Sequence, residues 1–245
     1  MKLVNIKILA LLVISYSIAL VAMTPLSWLL PYVQPQLAAV GVQLTDVEGS
    51  IWQGEGVLTE RNVGSAQVKW DVNAIQIPLL RLPIDLHVTN NAADVHAIVT
   101  LTPFNLSVDN LNGYVDEVLF KSVYQTYRAD IKGRLQLDNV HAKLSWNKSL
   151  GDASGALSWS GGPVSLPVGR STQTFEVPTM FGQITSSDNQ WGVNIAGANQ
   201  QQYITAQLDG TGVATLSVKR VLATEMKISV PGNGSSLLDI SQQVF

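Results

Sequence analysis

The residue types best able to do chemistry in this chain are the histidines and aspartates of one predicted β-hairpin, residues 84–101. Asp85 and His87 alternate with apolar residues in its first strand, and Asp94 and His96 lie in its second strand. Residues two apart in a strand share a face, and residues paired across strands lie about 5 Å apart. The four side chains therefore form one polar cluster, and imidazole with carboxylate is a donor set that suits half of a metal site.

Two loops would close this hairpin, and they give different pairs across it. A loop at residues 90–91 pairs His87 with Asp94, whereas a loop at residues 91–92 places His87 opposite His96. The first register is favoured, because two asparagines tolerate the positive φ angles of a two-residue hairpin loop. A zinc site takes at least three protein ligands, and the remaining histidine lies far along the sequence. We therefore expect a solvated face with cross-strand charge pairs and no metal.

The composition excludes several classes of function. Only 13% of the 245 residues are charged, against about 25% in typical soluble proteins. The net charge of −3 lacks the basic footprint of a nucleic-acid binder. The absence of cysteine excludes thiol catalysis, cysteine-ligated zinc, iron–sulfur clusters and disulfides. None of the common nucleophile, phosphate-loop, zincin or dinucleotide motifs occurs, so we expect no catalytic residue, no cofactor and no small-molecule substrate.

The chain begins with an apolar segment, residues 8–30, that is long enough to cross a membrane. Lys2 and Lys7 precede this segment, and the next charged residue is Asp46. As a helix, the segment would span about 34 Å, compared with about 30 Å for the hydrocarbon core of a bilayer. The two lysines predict a cytoplasmic N-terminus by the positive-inside rule.

A cleaved signal peptide and a buried core helix are the alternatives for this segment. Residues 17–19 offer a small-x-small cleavage site, but cleavage there would leave the apolar residues 20–30 on the mature protein. We expect an uncleaved anchor, with Trp28 and Tyr32 as interfacial aromatic residues at its far end. The predicted organisation is a cytoplasmic tail (1–7), a transmembrane helix (8–30), a linker with a short helix at 36–40 (31–41), and a β domain beyond the membrane (42–245).

From Val42 onward, the dominant hydrophobic period is two, which predicts strands with one apolar and one polar face. Such alternation is typical of antiparallel sheets, because strands of parallel sheets are apolar on both faces. One segment, Asp116–Tyr127, has helical spacing. About twelve strands in one sheet are expected to curl or split. We therefore predict a strongly curved antiparallel sheet or half-closed β-barrel with one short helix. The clearest alternating segments are 66–71, 84–89, 131–138, 140–147, 204–208 and 226–230.

A short glycine- and tryptophan-containing motif carries a family resemblance. The segment 42–54, VQLTDVEGSIWQG, contains Gly49, Trp52 and Gly54 and precedes a strand that ends in Trp70. Further along lie GRLQL, a strand ending in tryptophan, and GALSWSGGP. This ordered set, which extends over essentially the whole chain, resembles the type II secretion system protein N family, also called general secretion pathway protein N.

The resemblance implies a single-pass inner-membrane protein of a Gram-negative bacterium, with the bulk of the chain in the periplasm. It implies a non-catalytic component, without a known cofactor, that supports the export of folded periplasmic proteins across the outer membrane. The implied partners are other type II secretion components, namely the inner-membrane platform or the outer-membrane secretin. Glycines in a β segment mark a bulge or close backbone approach. Gly49, Trp52, Gly54 and Trp70 therefore either build the fold or contact a neighbouring component.

Two other functions remain open at the level of sequence. A curved sheet with an apolar concave face would suit a periplasmic protein that handles lipids or glycolipids. Trp70 and Trp146 on that face favour a filled core, whereas Ala66, Ala142 and Gly133 favour an open groove. A carbohydrate-binding module remains an alternative only if the N-terminal segment is cleaved.

Overall fold

Antiparallel strands make up most of the described chain. The computed structural model describes residues 12, 16, 24–39, 41–60, 64–121, 124, 130–168, 171–226, 228 and 234–244. Its helical elements include α1 (Leu26–Ala39), α2 (Arg220–Glu225) and the 3-10 turns Ala74–Leu79 and Glu117–Phe120. The strands are β1 (Val42–Gly49), β2 (Gln53–Glu60), β3 (Gly64–Val72), β4 (Leu82–Asn90), β5 (Ala93–Leu101), β6 (Asn105–Asp116), β7 (Asp130–Ile131), β8 (Arg134–Ser145), β9 (Leu150–Trp159), β10 (Gly162–Val168), β11 (Ser171–Val177), β12 (Met180–Ser187), β13 (Gln190–Gly197), β14 (Gln202–Asp209), β15 (Val213–Lys219) and β16 (Ser236–Gln243).

Thirteen of these strands form one sheet in chain order, from β1 at one edge to β16 at the other. The sheet omits β7, β10 and β11, which form a small separate sheet in the order β11-β10-β7. All pairings are antiparallel, so the antiparallel prediction is confirmed. Most pairings are therefore between strands that follow one another in the chain, and the exceptions are β6 with β8, β9 with β12, and β7 with β10.

The prediction of a strongly curved sheet or half-closed barrel is wrong. The main sheet is neither closed nor strongly curled, and β1 and β16 each have a single neighbour. Closure would require these two strands to pair, and nothing in the local alternation pattern encodes that pairing. Part of the chain instead splits into the second sheet, and register shifts interrupt several ladders. Open sheets of this size do occur, and bulges take up twist locally.

The two faces of the main sheet differ in polarity. Directly paired residues lie on the same face, and one continuous series of paired apolar residues and glycines crosses the sheet from β2 to β16. Nine of these twelve residues have side chains, and none of the nine is buried. We call these residues the apolar row. They are Gly56, Val68, Val88, Val95, Gly113, Leu137, Leu157, Gly182, Ile195, Ile204, Val218 and Leu238.

The buried core of the described chain is small. Ten apolar side chains in it are buried, and five of these are alanines. Tyr203 is the only large side chain among them with less than 2% of its surface exposed, and its burial raises the pKa of its phenol. Ala223 of α2 is also buried. Most side chains of the apolar row are half-buried, so the described part of the sheet buries little apolar surface outright.

Most of the predicted membrane segment, residues 8–30, lies outside the described residues, as does the predicted tail 1–7. Helix α1 begins at Leu26 and continues to Ala39, so it includes the predicted short helix except for Val40, which is not described. It packs along β1, and Pro25 forms an isolated bridge with Ser50. Of the helices described here, none combines the length and hydropathy required to cross a bilayer.

Two predicted elements differ in the structure. The predicted helix 116–127 contains a 3-10 turn, Glu117–Phe120, followed by helical Lys121 and Tyr124, and its other residues beyond 121 lie outside the described part. The predicted strand at 226–230 is wrong. Met226 and Ile228 donate their N–H groups to the carbonyls of Leu222 and Ala223, which closes α2 instead of extending the sheet. Val230 is not among the described residues.

Substitution of Gly113 with alanine tests how tightly the strands pack. This glycine of the apolar row has a φ of +133°, and a Cβ there would overlap the carbonyl oxygen of Asp94. We expect Gly113→Ala to lower the free energy of unfolding by about 2 kcal/mol. Gly192→Ala is the matched control, because its Cβ would meet only Thr185, with the hydroxyl oxygen at 3.3 Å. Equal denaturation midpoints for the two variants would contradict this account.

Candidate functional site

The predicted glycine–tryptophan motif forms the tight turn between β1 and β2. The hydroxyl oxygen of Ser50 accepts the N–H groups of Trp52 at 3.1 Å and Gln53 at 3.2 Å. The Ser50 N–H donates in turn to the Gln53 carbonyl at 2.8 Å. Gly49 has a φ of +95°, and a Cβ there would overlap that same carbonyl. The turn therefore requires glycine at position 49.

Trp70 closes over this turn from β3. It is the direct partner of Gly54, and a Cβ on Gly54 would lie 2.5 Å from the indole Cζ2 atom. The indole N–H of Trp70 donates to the Ser50 carbonyl at 3.1 Å. Glycine at position 54 leaves room for the ring to reach the turn. The structure thus brings Gly49, Trp52, Gly54 and Trp70 together at one end of the sheet.

The same packing occurs a second time, between the GRLQL and GALSWSGGP segments that carry part of the family resemblance. A Cβ on Gly133 would lie 2.6 Å from the indole Cε2 atom of Trp159. The GALSW segment, like AQVKW, ends in tryptophan. An indole ring packed on a glycine is therefore a recurrent way of stiffening this sheet.

Trp52 lies beside an apolar groove at the same end of the sheet. Its carbonyl accepts the N–H of Val72 at 2.6 Å, which fixes the turn against β3. The groove has a volume of about 520 Å³, and its lining includes Ile77, Leu80 and Leu101 besides Trp52. Its walls are almost entirely carbon, so it suits apolar groups better than polar ligands.

A second apolar groove lies on the same face between β13 and β16. It has a volume of about 450 Å³, and Trp191, Leu208, Leu216 and Ile240 are among its lining residues. The indole N–H of Trp191 donates to the Gly151 carbonyl at 2.7 Å, which leaves the ring as one wall of the groove. The apolar face thus has one groove near the β1 edge of the sheet and another near the β16 edge.

The histidine hairpin has the register that was not favoured. His87 lies directly opposite His96, so the loop is at residues 91–92 and the prediction of a 90–91 loop is wrong. The physical reason is that neither Asn90 nor Asn91 adopts a positive φ. The side chain of Asn90 instead accepts the Ala92 N–H at 2.8 Å, an Asx-type turn that needs no left-handed residue.

Each histidine of the chain is paired with one aspartate on the polar face. His87 and Asp94 lie 2.8 Å apart, and His96 and Asp85 lie 2.7 Å apart, so both pairs run diagonally across the hairpin. The four residues share one polar face, as predicted. His141 and Asp109 form a third pair at 2.5 Å between β8 and β6. In the described part of the chain, no three potential ligands converge on one point.

The shifted pKa values described here have local structural causes. The hydroxyl of Thr211 and the N–H of Val213 donate to Asp209 in the β14–β15 turn and lower the pKa of its carboxyl. The Ser236 and Ser217 hydroxyls lower the pKa of Asp239 in β16. The contacts of Asp209 lie at the start of β15, and those of Asp239 join β16 to the end of β15.

The two edge strands of the main sheet, β1 and β16, differ in what lies beside them. Helix α1 packs along β1, whereas no strand of the described chain pairs with the outer side of β16. Val244 donates its N–H to the Gly212 carbonyl at 2.8 Å, and ladder bonds alternate along an antiparallel strand. The N–H groups of Gln242 and Ile240 therefore face β15, and that of Ser241 faces outward. Such an edge is a template for strand addition.

Comparison with known proteins gave one match. The profile of the family described as "Type II secretion system (T2SS), protein N" matches residues 40–238. The matched range begins just before β1 and ends within β16, so it includes most of both grooves and the Trp70 turn. No curated protein and no solved structure matched the chain.

The histidine–aspartate pairs are expected to bind no zinc with useful affinity. Each imidazole already has a carboxylate partner, and zinc normally takes at least three protein ligands. Elemental analysis of the purified protein should give well under one zinc per chain. Stoichiometric zinc in the purified protein, lost on combining His87→Ala with His96→Ala, would contradict this expectation.

Removal of the Trp70 indole N–H tests whether the turn depends on it. We expect Trp70→Phe to lower the free energy of unfolding by about 1–2 kcal/mol, because the Ser50 carbonyl loses its donor and packing over Gly54 is reduced. Trp28→Phe is the matched control, since that side chain is 75% exposed on α1. Urea denaturation of both variants measures the difference, and equal stabilities would show that the motif does not hold the turn.

Proposed function

The chain belongs to the type II secretion system protein N family, and from this membership we propose that it is a non-catalytic scaffold of the secretion apparatus. It is a component of the type II secretion system. The proposed task is to support the export of folded periplasmic proteins across the outer membrane. The finer assignments below concern where it is held, which surface it uses and which partners it meets.

We propose that residues 8–30 anchor the protein in the inner membrane, with the N-terminus in the cytoplasm and residues 42–245 in the periplasm. The charge-free run behind Lys2 and Lys7 supports this arrangement. The bridge between Pro25 and Ser50 ties the last part of this segment to the sheet, and α1 packs along β1 from Leu26 onward, so the part embedded in lipid ends close to Pro25 and the β domain lies next to the bilayer. The inner-membrane platform is therefore the partner within easiest reach, and the outer-membrane secretin is the alternative.

The observation that carries the scaffold proposal is the free edge of β16. Its outward-facing backbone groups offer hydrogen bonds to an added strand, and Leu238 and Ile240 are both about half exposed there. In strand addition, main-chain hydrogen bonds give affinity and alternate side chains give specificity. A strand of another secretion component added to β16 would continue the thirteen-stranded sheet into the apparatus.

Proline at position 241 tests this edge directly. Ser241→Pro removes the outward N–H while leaving the inward N–H groups of Ile240 and Gln242 in place. We expect it to weaken binding of the added strand about tenfold, which corresponds to about 1.4 kcal/mol, and so to reduce the appearance of secreted enzymes outside the cell. The enzymes should accumulate, folded, in the periplasm.

Ser241→Ala is the matched control, because it also loses the hydroxyl but keeps the N–H. Each variant is expressed in a strain that lacks the native gene, and circular dichroism of the purified proteins verifies that both fold. Equal secretion by the two folded variants would rule out strand addition at this edge.

A second candidate function is the handling of lipids on the apolar face. The specific observation in its favour is that no side chain of the apolar row other than its glycines is buried, and that the row is flanked by two carbon-lined grooves. In this case, acyl chains would lie along the face that a core would otherwise cover. Normal secretion together with altered outer-membrane lipid composition in a deletion strain would favour this function over the scaffold.

Filling one groove distinguishes a lipid site from an empty one. Ala206 lines the groove between β13 and β16, opposite Leu216, whereas the neighbouring Thr205 lies on the other face of β14 and does not line the groove. If lipid occupies the groove, native mass spectrometry should detect bound lipid in the wild type and in Thr205→Trp, and much less in Ala206→Trp. Lipid-free protein in all three, or equal lipid in both variants, would count against this candidate.

A further inference from the structure

One end of the main sheet carries the β1–β2 turn, and we call it the proximal end. In a sheet of consecutive antiparallel strands, alternate connections lie at the same end. The β1–β2, β3–β4, β5–β6 and β8–β9 connections all lie at the proximal end, as do the short polar β12–β13 and β14–β15 turns nearer the other edge of the sheet. Pro25, immediately before α1, bridges to Ser50 in the first of them. The segment that precedes Pro25 therefore meets the sheet at the proximal end.

The connections at the proximal end expose large apolar side chains. In the β3–β4 connection, Ile75 is 88% exposed, Leu79 is 71% exposed and Leu80 is 65% exposed. Phe104 in the β5–β6 connection is 75% exposed, and Trp146 after β8 is 57% exposed. Turns that face only water normally contain polar residues, glycine or proline. Five such side chains on adjacent turns mark a surface that another apolar phase covers.

The apolar turns at this end contain no acidic residue. Residues 73–81, 102–104 and 146–149 lack aspartate and glutamate but include Arg81 and Lys148. The polar turns at the same end carry Asp188 and Asp209, so the surface that suits a bilayer is the half of the proximal end nearer β1. Basic residues next to exposed apolar ones suit the boundary between phospholipid headgroups and acyl chains. Trp28 lies in the first turn of α1, close to Pro25, and is also largely exposed. Tryptophan is enriched at this boundary.

The opposite end of the sheet has a different character. The β4–β5 connection is Asn91-Ala92, and the β13–β14 connection, residues 198–201, reads Ala-Asn-Gln-Gln. The exposed Val118 of the β6–β8 connection follows Glu117, which forms an ion pair with Lys132 at 3.6 Å. The apolar turns are thus concentrated at the end where the predicted anchor joins the sheet.

We propose that the proximal end rests on the periplasmic surface of the inner membrane, with Leu79, Leu80 and Phe104 inserted among the lipids. This proposal rests on the anchoring proposed above for residues 8–30. The occupant of the surface is the bilayer that holds the anchor, because the anchor keeps these turns within a few residues of it. The strands then point away from the membrane, and the groove that contains Trp52 opens beside it.

The test uses the full chain, which has no native cysteine to interfere with labelling. Single variants Leu79→Cys and Phe104→Cys carry an environment-sensitive NBD label at the proximal end. Asn91→Cys and Asn199→Cys carry the same label at the opposite end and serve as matched controls. Each protein is reconstituted into phosphatidylethanolamine–phosphatidylglycerol liposomes, with or without acyl chains that bear doxyl quenchers.

The proposal expects blue-shifted emission and loss of most of the NBD signal to doxyl lipid at positions 79 and 104, with neither effect at positions 91 and 199. Protein that floats with the liposomes but shows equal quenching at all four positions would overturn the proposal and leave the anchor intact. Failure to float would reject the anchor, and the membrane contact with it. Disulfide-linked dimers of the unlabelled Leu79→Cys variant, in place of quenching, would assign the surface to a second copy.

Discussion

The hydrogen-bonded pairing of neighbouring strands is the interaction on which this structure depends. Within the described residues, no non-glycine side chain of the apolar row is buried, and alanines form half of the small buried set. A sheet held in this way needs close backbone approach, which explains why glycines occupy positions where a Cβ would overlap a neighbouring strand. It also explains the two tryptophans packed on glycines, because each ring adds apolar contact that a conventional core would otherwise supply.

The pairing of neighbouring strands also spreads the chain over a wide sheet with large accessible surfaces. In the part of the chain that the structure describes, the main sheet has a polar face, an apolar face and an edge strand, β16, with a single neighbour, so it presents several sites at which other molecules can bind. The β16 edge offers backbone hydrogen bonds, the apolar face offers two grooves, and the proximal end offers exposed apolar turns. A component of a secretion apparatus that is built in this way gains stability from its assembly, since binding to the folded state shifts the folding equilibrium.

The alternation of apolar and polar residues was enough to predict the antiparallel strands, but it did not predict which distant strands pair with each other. Alternating residues identified antiparallel strands such as β3, β4 and β14, whereas the open sheet depends on β1 and β16 not pairing. The loop of the histidine hairpin was predicted one residue too early in the chain. The expected asparagine residues with positive φ do not occur, and a hydrogen bond from the Ala92 N–H to the Asn90 side chain closes the turn instead. The juxtaposition of Gly54 and Trp70 follows from hairpin spacing. The hydrogen bond from the Trp70 indole N–H to the Ser50 carbonyl depends on the conformation of the β1–β2 turn, which the hydrophobic periodicity does not predict.

The central claim is that the β16 edge binds another secretion component, and photo-crosslinking in cells measures this most directly. A benzophenone amino acid is placed at position 241 on the outer edge and, for comparison, at position 67 in β3, which has a strand on each side. The account predicts a crosslink from position 241 to another protein of the type II apparatus and none from position 67. A chain that crosslinks at neither position while secretion proceeds, or that crosslinks equally at both, would contradict it.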